Sequence, residues 1–128
     1  MIKQSVVIDT NIFIDHLRGH APAKVFFKEI EDGIIDGYYS TITEAEIYSG
    51  TDLVSLEKQR VVADLLSLMK RVPVDDIVAK KAGELRRSHP TLLPDAIIAA
   101  TATLRTGGRV CTKNKKDFST YSTVVTPY

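Results

Sequence analysis

The feature that most limits what this chain can fold into is an alternation: short β-rich runs separated by longer stretches of helical periodicity. The first run, Ser5–Asp9 ("SVVID"), is bulky and apolar enough to be buried on both faces of a sheet. "DGYYSTI" at 36–42, "RVPV" around Pro73, "RVCT" from Arg109 and "STVV" from Ser122 are further extended candidates. Helices are predicted over 11–18 and 22–32, from Thr43 to about Gly50, and over 54–71. In the last of these, Val61, Val62, Leu65, Leu66, Leu68 and Met69 keep to one broad face. Asp75 or Asp76 can cap another helix that reaches about Arg87. Pro94 suits the first turn of a helix over 94–106, which Gly107–Gly108 would close. The alternation predicts an α/β fold: a mainly parallel sheet of four or five strands flanked by helices. In such sheets ligands bind beyond the carboxyl ends of the strands. Asp9 ends the first run and Thr112–Asp117 follow the run from Arg109, so both are expected at that edge.

A chain of 128 residues has room for one domain with a real core, and residues 1–128 are read as one. Apolar residues at 44% and charged residues at 26% exclude a disordered chain. A net charge of +1 excludes a general polyanion binder, so any nucleic-acid contact has to come from a local patch. The lone cysteine, Cys111, cannot form an internal disulfide; it is expected in the core and fits a reducing compartment. Ala96–Leu104, the longest strongly apolar stretch without a charge, is about half a membrane span. The start, "MIKQSVVID", reaches an acid too soon for a signal peptide. A cytoplasmic protein without a membrane segment is expected.

Four carboxylates invite two readings each. Asp9 precedes a helix and can be its N-cap, or it can be one wall of a metal site. Glu46 stands three residues after Thr43, the spacing of a capping box. Asp95 follows Pro94 in a first helical turn, where negative charge suits the helix dipole. Asp117 follows Asn114 by three, again like a cap and its partner. The helix "PDAIIAATATL" is apolar on nearly every face, so an acid at its start is expensive to desolvate without compensation. Glu44 and Glu46 point to different sides of their helix, so at most one shares a site with Asp9. Carboxylates gathered there would raise one another's pKa values, a penalty that a divalent cation removes. Oxygen donors without a His–Cys set favour Mg²⁺ or Mn²⁺ over zinc. His16, His20 and His89 stand outside these clusters and read as surface or loop residues.

"VVIDTNIFID", "TITEAEIYSG", "LLPDAIIAATA" and "VCTKNKKDF" occur in the order and spacing of the PIN-domain ribonucleases, and the chain resembles in particular the VapC-type toxins of type II toxin–antitoxin pairs. The similarity runs from about Ser5 to Phe118. It implies a three-layer PIN-like fold over a single domain, with Asp9, Glu46, Asp95 and Asp117 as the catalytic, metal-binding acids. The acid just before Ile47 matches the family position, which selects Glu46 over Glu44. Thr10, Asn11, Thr112 and Asn114 match the family's polar supporting residues, and Asp15 is left outside the metal shell. No further acid lies between Glu84 and Asp95, where some relatives bring one, so one ion or two remains open.

The resemblance further implies Mg²⁺- or Mn²⁺-dependent hydrolysis of RNA by metal-activated water, leaving a 5′-phosphate and a 3′-hydroxyl. Arg109, Lys113, Lys115 and Lys116 cluster in sequence around the fourth motif and are candidates for RNA phosphates, or a solvated basic loop. A homodimer and a small inhibitory VapB-like antitoxin are the implied partners. Ile12, Phe13, Leu17 and the 54–71 helix are candidates for the antitoxin groove or, alternatively, core. Two rivals stay beside this reading. One is a non-catalytic RNA- or protein-binding module of the same fold. The other is a phosphotransfer domain, which would want an acid where Asn11 stands, or Thr112 and Lys113 on separate strands.

Overall fold

The computed structural model describes residues 3–128, so the reading of the leading segment falls partly on Met1 and Ile2, outside the described residues. Five strands, β1 (Gln4–Ile8), β2 (Ile35–Ser40), β3 (Lys70–Val72), β4 (Arg109–Cys111) and β5 (Thr123–Val125), form one sheet in the order β3-β2-β1-β4-β5. Every pairing is parallel. The helices are α1 (Thr10–Leu17), α2 (Ala21–Glu31), α3 (Thr41–Tyr48), α4 (Leu56–Leu66), α5 (Asp76–Ser88), α6 (Leu93–Arg105) and the single turn α7 (Lys115–Phe118).

Side-chain alternation along β1 divides the core into layers. Val6 and Ile8 pack on one side with Phe13, Phe27, Ile47, Val62 and Leu65. Val7, from the same strand, packs on the other side with Ile98, Ala99, Val110 and Phe118. Successive strand residues point to opposite faces, and both faces of β1 are covered, so its run is apolar without interruption. Helices on both sides of a parallel sheet make the expected three-layer α/β fold. Along α6, Ile98, Ala99 and Ala102 face the sheet, while Ala96, Ile97 and Ala100 meet Val78 and Ala82 of α5.

The helix predicted over 54–71 is interrupted. A 3-10 turn covers Thr51–Val54, and the Ser55 hydroxyl accepts from the Lys58 N–H to open α4. At the other end, Leu68 and Met69 donate to Leu65 and Leu66, tightening the last turn before Arg71 and Val72 pair with Tyr39 and Ser40. Met69 keeps its place in the core, which is why the apolar face outruns the helix. Asp75 caps α5 through the Val78 N–H at 2.9 Å. Gly107 and Gly108 both adopt left-handed φ (62° and 86°), and the Gly108 N–H closes α6 on the Ala102 carbonyl. Among the described residues no helix is long and apolar enough to cross a membrane.

Candidate active site

Asp9 follows the central strand directly, and its N–H extends the ladder to the Cys111 carbonyl at 2.9 Å. It occupies the N-cap position of α1, yet its carboxylate makes no capping hydrogen bond. The side chain turns instead to Thr112, whose hydroxyl donates to Oδ2 at 2.8 Å, and only 4% of the residue is exposed. Thr112 also accepts from the Asn114 N–H at 2.9 Å, and the Asn114 amide donates to the Asp117 carboxylate. The loop after β4 is thereby tied to the end of β1 and to Asp117 through three consecutive polar links.

A second chain of hydrogen bonds runs from α1 to α3. The Thr10 hydroxyl donates to Glu46 Oε1 at 2.7 Å and lies 2.9 Å from the Thr43 hydroxyl. Because Thr10 has one proton to give and Glu46 takes it, Thr43 is the donor in the second contact. The capping box expected from Thr43 and Glu46 does not form. Ser40 is the N-cap, accepting from the Ile42 N–H, and Thr43 lies inside α3, fully buried. The three-residue spacing reflects a shared helix face instead. Glu44 points away and pairs with Arg71 at 3.0 Å.

Asp95 occupies the first turn of α6, which begins at the same strand edge. Burial pushes its carboxyl up to about 6, with the charges of Asp9, Asp117 and Glu46 adding to the rise. The Asp9 carboxyl is also raised, chiefly by burial, against hydrogen bonds from Thr112 and the Thr10 amide, and further by Glu46 and Asp117. The four predicted acids, from four separate segments, thus lie within one another's fields. No ion pair among the described residues involves any of them.

The expected four-acid metal shell is not closed in this arrangement. Among the described residues, no three His, Cys, Asp or Glu side chains are gathered tightly enough to share an ion. The donor chemistry nevertheless fits a hard divalent cation: oxygen only, negatively charged, partly desolvated and without a basic partner.

The PIN domain family matches residues 6–123, nearly the whole chain. This chain belongs to the PIN-domain family. Among curated proteins it is 31% identical over 103 residues to "Ribonuclease VapC10" of Mycobacterium tuberculosis, covering 76% of this chain and 74% of the relative. Among solved structures it resembles a toxin–antitoxin complex from Klebsiella pneumoniae, at 34% identity and a TM-score of 0.76, covering 96% of this chain and 98% of the other. FitAcB from Neisseria gonorrhoeae is similar at 26% identity and a TM-score of 0.73, covering 95% and 97%.

In this PIN-domain protein a cleft of about 350 Å³ opens beside Asp9, lined also by Asn11, Ile14, Asp15, Arg18, Thr112, Lys113 and Asn114. Lys115 and Lys116 are exposed on α7. Arg109 departs from expectation. It starts β4, about 10 Å of strand away from the acids, and its Nε donates to the Ser5 carbonyl at 2.8 Å. Sequence adjacency misled there, because a strand carries its two ends to opposite edges of the sheet. His16 is likewise no plain surface residue: its ring sits 4.9 Å from that of Phe27, half-buried. His20 and His89 are exposed, and Cys111 is core, its thiol pushed up to about 12 by burial. Sequence reasoning passed over Thr43 as a site neighbour. Its signal was the Thr43–Glu46 spacing, which it read as a cap.

Proposed function

We propose that this PIN-domain protein is an endoribonuclease that depends on Mg²⁺ or Mn²⁺ and is restrained by a small VapB-like antitoxin. One observation carries the reading: Asp9, Glu46, Asp95 and Asp117 lie within one another's fields, burial and then their mutual charge raise the carboxyls of Asp9 and Asp95, and among the described residues no ion pair involves any of the four. A divalent ion there supplies Lewis acidity, which lowers the pKa of water and offsets charge on a phosphodiester under attack. Asp9, Glu46 and Asp95 are the residues that would hold it, with Asp117 beside them. Thr112 and Thr10 each present a hydroxyl that fixes one carboxylate oxygen, and Asn114 orients Asp117. Asn11, exposed at the cleft mouth, is free to hold water or a substrate oxygen. No histidine is needed as a base.

RNA as substrate is supported by the kinship with a protein named as a ribonuclease. Lys113, Lys115 and Lys116 supply positive charge on the loop that carries Asp117. The antitoxin is supported by the likeness to the Klebsiella toxin–antitoxin complex. A groove of about 340 Å³ between α1 and α4, with Leu17, Leu53, Val61 and Val62 flanked by Asp52, Ser55, Glu57 and Lys58, suits an amphipathic peptide segment. A neighbouring hollow shares Leu17, Asp52 and Leu53 with it and is lined also by Ile14, Arg18 and Glu46. Ile12 and Phe13, candidates for that groove in the sequence, are fully buried and belong to the core. A homodimer and a cytoplasmic setting complete the reading.

The test is RNA cleavage by the purified protein with Mg²⁺, Mn²⁺ or EDTA, wild type beside Asp9→Asn. Cleavage is expected with either ion, lost in EDTA and lost in a folded Asp9→Asn protein. Cleavage in EDTA, or a fully active Asp9→Asn variant, would overturn the assignment.

A further inference from the structure

Lys113 stands between Thr112, which donates to Asp9, and Asn114, which donates to Asp117. It lines the same cleft as Asp9. A lysine ammonium is a mobile point charge on a flexible stem, and four uncompensated carboxylates nearby attract it. Seated among them it would compete with any divalent ion. The structure shows it elsewhere: Nζ lies 2.7 Å from Asp15 Oδ2, and among the described residues Asp15 is its one ion-pair partner. The same Oδ2 accepts the Tyr128 hydroxyl at 2.6 Å, and Nζ lies 5.3 Å from the centre of the Tyr128 ring. Carboxylate, phenol and ring together make a seat for the ammonium. Among the described residues, no ion pair joins Lys113 to Asp9, Glu46, Asp95 or Asp117.

Resting on the four acids as a cation site, we infer that Asp15 and Tyr128 are positioning residues that hold the Lys113 ammonium off those acids and so keep them open to a divalent ion. Neither would bind the ion. They act through Lys113, from α1 and from the segment after β5.

The experiment measures Mn²⁺ binding to the full chain by the electron paramagnetic resonance signal of free Mn²⁺, without RNA. Wild type is expected to bind and Asp9→Asn to lose binding. Asp15→Asn is expected to weaken binding by about tenfold, because a released ammonium must be displaced. The double variant Asp15→Asn with Lys113→Gln is expected to return to at least wild-type affinity. A staple that merely stabilised the fold would leave the double variant as weak as the single one. That result, or wild-type affinity in Asp15→Asn, overturns the inference. If Asp15→Asn does not fold, Tyr128→Phe with and without Lys113→Gln makes the same comparison: a loss reversed by Lys113→Gln supports the inference, and no loss or an unreversed one overturns it. Failure of wild type to bind, or Asp9→Asn binding like wild type, removes the acidic site itself and the inference with it.

Discussion

Asp95 is the residue at which chemistry and stability are most clearly opposed. Its carboxyl is raised from an ordinary 3.8 to about 6 by burial and by three neighbouring acids. The folded protein therefore binds the proton more tightly than the unfolded chain does. Its contribution is fully favourable below about pH 3.8 and is lost as pH rises through about 6. Near neutral pH, without a divalent ion, the ionised form is a net cost to the fold. Asp95→Asn is expected to abolish cleavage and yet stabilise the protein in EDTA at pH 7.5 by about 1–2 kcal/mol, discounted for solvent screening. At pH 4 most of the gain should be gone, since the folded state is then almost wholly neutral at this position and the unfolded chain only about half ionised. Thermal melts of wild type and variant at the two pH values decide it. Equal melting temperatures at pH 7.5 would mean that neither burial nor the neighbouring acids make the ionised form of Asp95 costly.

At the scale of elements, α6 joins the acidic edge to the core. Ala99 and Ala102 lie fully buried against β1 and β4, while Ala96 and Ala100 meet α5, so the helix packs closely on two sides at once. A larger side chain has nowhere to go. Ala99→Leu should cost about 1–3 kcal/mol by overpacking, read as a lower denaturant midpoint, and should disturb the helix that carries Asp95. An unchanged midpoint would refute the close packing. Both α6 and β1 were legible in the sequence because burial on nearly all sides leaves an unbroken apolar run, and Pro94 and the Gly107–Gly108 pair mark the ends of α6. The end of α4 was not legible. Leu68 and Met69 continue its periodicity although the backbone has already turned towards β3; Met69 reaches the same core as α4, while Leu68 is exposed. In the site, the approach of Asp9 to the loop after β4 followed from parallel strand logic. Thr43 was hidden because a helix start is fixed by backbone geometry at Ser40, and three-residue spacing serves a cap and a shared face equally well. The Lys113–Asp15–Tyr128 contacts were beyond reach, since nothing local signals that Tyr128 folds back over α1.

For the molecule as a whole, charge limits how the proposed RNA substrate would be held. The net charge is only +1, and Arg109, which might have extended a basic surface, is committed to the far edge of the sheet. Lys113 is paired with Asp15, which leaves Lys115 and Lys116 on α7, beside Asp117, without an ion-pair partner among the described residues. A protein that neutralises few phosphates releases few counterions, and each contact with a single strand contributes about 0.7 to the slope of log affinity against log salt. Binding of single-stranded RNA is therefore expected to show a shallow slope, on the order of −1 to −2. Changing Lys115 and Lys116 together to Ala should flatten it by about 1.4 while leaving the fold intact, because both side chains are exposed. An Asp9→Asn background keeps the RNA uncut in both arms, and fluorescence anisotropy across a salt series gives both slopes. A steep slope in the parent would place the binding surface on other lysines and arginines. An unchanged slope after the double substitution would free α7 of any role in holding phosphate, and would leave RNA to be gripped through the acids and their ion alone.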